Sequence, residues 1–304
     1  MAYIFKNYFL HQPKYAFRFL MDEFDISMGE AQKIIDKKRV FVEDVLLEQK
    51  SRLIQGNIAV IMFQGNSQGL KPVFETDDFA VFDKPSGIMI HPRKRDDGYT
   101  LNDEIKSLYG NDANPIHRID KGTSGLVLVG KHKRAEIALK GLFANRQVKK
   151  HYLALVEGKI EKSFLIDAKL KRDCDYSKIR MKVHVDALGK DSQTLITPLE
   201  YFADKDVTLI DAEPFTGRQH QIRVHLFHVK HKILGDPIYG LNEDDANSFL
   251  EGVLDVEECI VKTGAERLLL HAQSLAFEYL GKQYHIESSF DAKNNFYTLC
   301  QERK

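Results

Sequence analysis

The chain has 304 residues, 43% apolar and 29% charged, with 44 Lys and Arg offset by 44 Asp and Glu. That is the make-up of a globular protein with a real core, not of a disordered tail, and the length suggests a large domain with a smaller companion. Three scattered cysteines argue against a disulfide framework or a structural zinc site, and no apolar run is long enough to span a membrane.

The opening twenty residues are broken by Lys6, His11, Pro13, Lys14 and Arg18, so no secretory leader is read and a cytoplasmic location is expected. Apolar residues recur at helical spacing over 16–24 (Phe17, Leu20, Met21, Phe24) and 27–36 (Met28, Ala31, Ile34, Ile35). Ser27 and Glu30 have capping-box spacing at the start of the second helix. A basic turn, Lys37-Lys38-Arg39, then leads into short β patterns at 40–42 and 57–63. Residues 1–64 therefore read as a small N-terminal α/β module, and 65–70, with Gly-Asn-Ser-Gln-Gly, as a linker.

A larger domain, 71–304, is expected after it. Two β segments flank Asp77-Asp78, and Lys84-Pro85-Ser86-Gly87 ends the second. A helix is predicted over 134–143 and another over 219–228. Strands are predicted over 148–157, 195–201, 207–212, 268–277 and 283–287. Strands gathered around a few helices, without regular βαβ alternation, indicate an α+β fold with a largely antiparallel mixed sheet and flanking helices.

The net charge of zero hides segregation. Residues 131–151 carry seven Lys or Arg and one acid, whereas 241–258 carry seven acids and no Lys or Arg. Two solvated surfaces would give the same counts, but a one-sided basic stripe is also what a polyanion attracts.

The segment His117-Arg118-Ile119-Asp120-Lys121-Gly122-Thr123-Ser124-Gly125 puts an aspartate in a tight loop just before an apolar, buried strand predicted at Leu126–Val129. It resembles the HRLDxxTSGL signature of the RluA-type RNA pseudouridine synthases, with Ile119 in place of leucine. Further motifs resembling that family follow in order: Lys149–Gly158 around Tyr152, Thr216–Leu226 with Gly-Arg-Gln-His-Gln-Ile-Arg, Gly235–Gly240, and Arg267–Ala272. The first module resembles a ribosomal-protein-type RNA-binding module, without its usual Arg-Leu-Asp opening.

The resemblance implies a pseudouridine synthase fold and isomerisation of uridine to pseudouridine in RNA. No cofactor and no metal are implied, because the reaction neither oxidises nor adds an outside atom. Asp120 is the implied catalytic carboxylate, Arg223 its cationic partner and Tyr152 the ring against the uracil. Arg118, Ile222, Arg218, His220, Lys149 and Lys150 are assigned to substrate or RNA contact, as are Lys38 and Arg39 in the first module. His220 and His225 also read as packed, hydrogen-bonded histidines, and Thr123 and Ser124 as anchors of the Asp120 loop. A Ser124 nucleophile is disfavoured because residue 126 of the GxSxG pattern is leucine. The expected partner is large-subunit ribosomal RNA, with transfer RNA as the alternative, acted on by a monomer. Two rival readings stand beside this: a catalytically degenerate RNA-binding ribosome-assembly factor, and a glycosidase using Asp236 or Glu213 as a second acid.

Overall fold

The structure, a computed structural model, describes residues 2–64, 66–92, 98–172 and 182–300. Two compact units emerge, Met1–Gln68 with Pro92–Asp103, and Gly69–His91 with Glu104–Lys304.

In the first unit the chain runs β1 (Ala2–Tyr15), α1 (Ala16–Phe24), α2 (Met28–Asp36), β2 (Val40–Val42), β3 (Val45–Leu46) and β4 (Leu53–Gln64). The strands form an antiparallel sheet in the order β1-β4-β2-β3. Tyr8 and Leu10 of β1 pack with Ile58, Val60 and Met62 of β4 against Ala16, Leu20 and Ile35 of the helices. The capping box at Ser27 is formed: Glu30 N donates to Ser27 Oγ, and Ser27 N donates to Glu30 Oε2 at 2.9 Å.

Strand β1 is the main departure from expectation. Its outward residues alternate as Phe5, Asn7, Phe9 and His11, so its apolar pattern is blurred. Pro13 lies where the register shifts, between Leu10 and Lys14, on an edge strand that tolerates a missing donor.

The chain continues with β5 (Phe74–Glu75), β6 (Phe79–Lys84), α3 (Leu101–Tyr109, its first three residues assigned to the first unit), β7 (Asn114–Pro115), β8 (Ser124–Gly130), α4 (Lys133–Ala144) and β9 (Lys149–Glu157). Then come β10 (Phe164–Asp167), β11 (Leu170–Arg172), β12 (Val183–Val185), β13 (Gln193–Phe202), β14 (Val207–Pro214) and α5 (Gln221–His228). It closes with α6 (Glu243–Glu251), α7 (Val256–Thr263), β15 (Leu270–Tyr279), β16 (Lys282–Glu287) and α8 (Ala292–Leu299).

A ten-stranded sheet orders as β10-β13-β14-β9-β15-β8-β6-β5, with β16 on β15 and β7 on β8. The β15–β8 pair is its parallel contact among otherwise antiparallel pairs. Strand β8 is buried at every position, which explains its unbroken apolar run. Ala135 and Leu139 of α4 cover Leu126 and Leu128 on one side of it.

Helix α5 begins at Gln221, two residues later than its apolar spacing suggested, because His220 is left-handed with φ +54°. Helices α6 and α7 occupy the acidic stretch, where the sequence reading had placed only charge. Their caps are regular: Asn242 and Asp255 accept backbone N–H groups at the starts, and Gly252 and Gly264 are left-handed at the ends. No helix among the described residues is long and apolar enough to cross a membrane.

Candidate active site

The loop bearing Asp120 precedes β8, Tyr152 lies on β9, and Arg223 lies on α5, which follows β14. Since β8, β15, β9 and β14 are consecutive in the sheet, strand order alone gathers these three residues. The loop is pinned from behind. Thr123 N donates to Asp120 O at 3.2 Å, Gly87 N to Lys121 O at 2.9 Å, and Ser86 Oγ to Gly122 O at 2.6 Å.

Lys84 completes that support. It is wholly buried, and its ammonium donates to Pro85 O, Ile88 O and Lys121 O at 2.9, 3.0 and 3.3 Å. Burial draws its pKa down to about 7. Gly125 ends the loop at φ +109°, where an added Cβ would lie 2.4 Å from Ala272 N and O. Only glycine lets β8 enter its parallel pairing with β15 so closely.

Arg223 Nη1 donates to Asp120 Oδ2 at 2.9 Å. The other edge of the guanidinium is committed to Asp236, through Nε to Oδ2 and Nη2 to Oδ1, both at 2.7 Å. Asp236 is in turn held by Ile238 N at 2.9 Å and Tyr239 N at 3.0 Å. A guanidinium fixed bidentately on one side has little freedom on the other, so Asp236 aims Nη1 at Asp120. The Tyr239 ring lies 5.2 Å from Arg223 Cζ.

The side chains of Arg223 and Asp236 are 5% and 1% exposed, while that of Asp120 keeps 27%. Burial opposes ionisation of Asp120. Arg223, with His220 Nε2 at 3.8 Å, outweighs it and holds the carboxyl below its ordinary pKa. Burial, and then the negative charge of Asp120, push the Tyr152 phenol well above its usual value, so it stays protonated.

Asp120 opens into a cavity of about 490 Å³, which suits a single nucleotide. Of the expected residues, Arg118, Asp120, Lys150, Tyr152, Arg218, His220, Ile222 and Arg223 line it. Phe143, Val148 and Leu270 supply further apolar wall, and Arg146 a further cation. Arg218 Nε donates to Asp191 O at 3.2 Å, and its backbone N to Gln221 Oε1 at 3.0 Å. Lys150 is half-buried; burial lowers its pKa to about 8, with Glu213 acting the other way.

Lys149 is exposed at the start of β9 and is absent from the cavity wall. Lys38 is exposed and Arg39 half-buried, between α2 and β2 of the first unit. His225 is packed, with Nδ1 2.9 Å from Thr194 Oγ1 and Nε2 3.0 Å from Ala168 O.

Three features modify the sequence reading. The basic stretch is partly neutralised internally: Lys131 pairs with Glu75 at 2.9 Å, and Lys133 and Lys140 pair with Glu136 at 2.9 and 2.6 Å. Asp236, considered above as a proton donor for hydrolysis, has both oxygens occupied and is buried, so it serves Arg223 instead. Lys84, Tyr239 and His271 had no role, although each sits in a quoted motif. His271 Nδ1 is 2.9 Å from the buried Ser124 Oγ, linking the end of the Asp120 loop to β15.

Comparison with known proteins gives the family. Residues 78–228 match the family profile for RNA pseudouridylate synthase. An uncharacterized RNA pseudouridine synthase of Helicobacter pylori strain J99 is 39% identical over 289 residues, 95% of this chain and 96% of the relative. The ribosomal large subunit pseudouridine synthase D of Nitrosomonas europaea is 35% identical over 236 residues, 73% of this chain and 67% of the relative. In fold, the chain is similar to human RNA pseudouridylate synthase domain containing 1, with a TM-score of 0.59 and 24% identity over 75% of this chain and 86% of that one. The chain is therefore an RNA pseudouridine synthase and belongs to the RluA-type branch of that family.

Proposed function

We propose that this synthase isomerises uridines of large-subunit ribosomal RNA and that Asp120 is its catalytic carboxylate. The observation that carries the assignment of Asp120 is its placement: ionised, ion-paired to Arg223, and open to a cavity the size of one nucleotide. The reaction breaks the bond from ribose to ring nitrogen, turns the uracil, and joins the ribose to a ring carbon. The proton on that carbon is lost and the freed nitrogen gains one, so nothing is oxidised and atoms balance.

A carboxylate held ionised before reaction serves this sequence by adding to sugar or base, or by accepting a ribose proton, and later by taking the ring proton. Arg223 keeps it charged and oriented. Tyr152 and Ile222 contact the two faces of an extruded uracil, and the protonated phenol is a hydrogen-bond donor. Arg118, Arg218, His220 and Lys150 meet the backbone and fill the gap left in the RNA, with Lys149 adding charge outside the cavity. The first unit, through Lys38 and Arg39, adds an RNA contact remote from the reaction.

Ribosomal RNA is favoured over transfer RNA because family members with an appended first unit most often act on large-subunit RNA. The match to the Nitrosomonas large-subunit enzyme supports the same choice. Mapping pseudouridines in ribosomal and transfer RNA from cells with and without this protein tests it. Loss of one or more sites in large-subunit RNA is the expected result. Loss confined to transfer RNA would reassign the substrate.

A further inference from the structure

Helix α5 has a second side. Ile222 and Arg223 face the catalytic cavity, whereas Val224, Phe227 and His228 line another, of about 630 Å³, together with Tyr239 and strand β12. Tyr239 forms the partition. Its hydroxyl lies 3.1 Å from His220 Nδ1 on the catalytic side, accepts from Val183 N at 3.0 Å and donates to Val183 O at 3.1 Å.

This second cavity has an aromatic floor and a cationic rim. Phe227 is 46% exposed, with its ring centroid 5.9 Å from that of Tyr239. Lys182, His184, His228, Lys230 and Lys232 surround it, against a single lining carboxylate, Glu157. Lys232 is engaged with Glu157, and Lys182 reaches Glu243, each at 3.2 Å. Lys230 forms no ion pair among the described residues. It is also left-handed, at φ +66°, just past the end of α5. That turn is the ordinary C-cap of α5, with His231 N donating to Leu226 O at 2.9 Å, and it leaves Lys230 on the same cavity wall as the exposed Phe227 ring.

We propose that this cavity holds a second nucleotide of the RNA strand being modified, its base on Phe227 and its phosphate between Lys182 and Lys230. Stacking on an aromatic ring tolerates any base, and ammonium groups bind phosphate as point charges, so the site recognises a single-stranded nucleotide without reading its identity. Its position across one helix from the catalytic cavity suits a nucleotide flanking the extruded uridine. An enzyme that must hold a base out of its stack gains from gripping the same strand beside it.

The chain contains no tryptophan, so Phe227→Trp introduces a single reporting indole. The protein is titrated with decaadenylate, which has no uridine for the catalytic cavity, and with AMP. The expected result is saturable quenching by decaadenylate, weakened roughly tenfold when Lys182→Gln and Lys230→Gln are added. Binding by anisotropy without quenching, or quenching indifferent to the two lysines, overturns the site. AMP saturating the signal as tightly as decaadenylate overturns the assignment to a strand in favour of a free nucleotide. In the otherwise native protein, Lys182→Gln/Lys230→Gln should lower the slope of log affinity against log salt by about 0.7, the worth of the one single-strand phosphate they share. An unchanged slope overturns the proposal whether or not the tryptophan variant folds.

Discussion

Arg223 sits between two carboxylates of different duty. Asp236 is buried and saturated with hydrogen bonds, while Asp120 gives one oxygen to the guanidinium and keeps access to the cavity. Asp236→Asn leaves the buried guanidinium short of its closest counter-charge and should destabilise the protein by about 3–5 kcal/mol, read by denaturant unfolding. It should also slow turnover, because Nη1 is no longer aimed. Lys150 gives a pH prediction. Its ammonium is charged below about 8 and neutral above, so RNA affinity should fall as pH rises through that value. Lys150→Arg, always charged, should flatten that limb, which KM measured between pH 7 and 9 would reveal. Asp120 behaves oppositely. Its pKa is lowered in the folded protein, so the stability of its ion pair is present above the unfolded value near 3.8 and is lost only as pH falls through the folded value. No decline in activity between pH 5 and 8 should trace to it.

At the scale of elements, what could be read from sequence depended on whether local pattern and tertiary role coincide. Strand β8 was legible because burial on both faces forces an unbroken apolar run. Helix α2 was legible because its capping box is local. Strand β1 was not, since its outer face carries Phe5 and Phe9 beside Asn7 and His11, and its pairing is with a strand some fifty residues away. Helices α6 and α7 have regular caps, but their dense acids blur the apolar periodicity that marks a helix. Asp120, Arg223 and Tyr152 were found by motif, and their convergence follows from strand order, which no local pattern encodes. Asp236 could be read from sequence only as a spare acid for hydrolysis, because its task, orienting another side chain, leaves no signature of its own. Gly125 makes the element-level prediction. Gly125→Ala forces a Cβ against the Ala272 backbone at a left-handed position, which should cost about 2 kcal/mol or more and loosen the Asp120 loop. A lowered denaturation midpoint together with reduced turnover is the expected result.

For the molecule as a whole, a formally neutral chain still presents an uneven field. Cations line the catalytic cavity and rim the second one, where Glu243 of α6 meets Lys182, while the other acids of α6 and α7 lie outside both linings. The internal pairing of Lys131, Lys133 and Lys140 moves the expected RNA contact away from α4 and toward the cavity wall at Arg118, Arg146, Lys150 and Arg218. If the first unit contributes its own RNA contact, Lys38→Gln/Arg39→Gln should raise KM severalfold and leave kcat unchanged, since uniform binding is lost and not transition-state binding. The central claim, that one ionised aspartate drives the isomerisation, is tested most directly by tritium release from ribosomal RNA labelled at the uracil ring carbon that joins the ribose. Asp120→Asn should cut the release rate by about 10³-fold or more while RNA affinity stays within about twofold of the native protein. Release at the native rate by that variant would contradict the account.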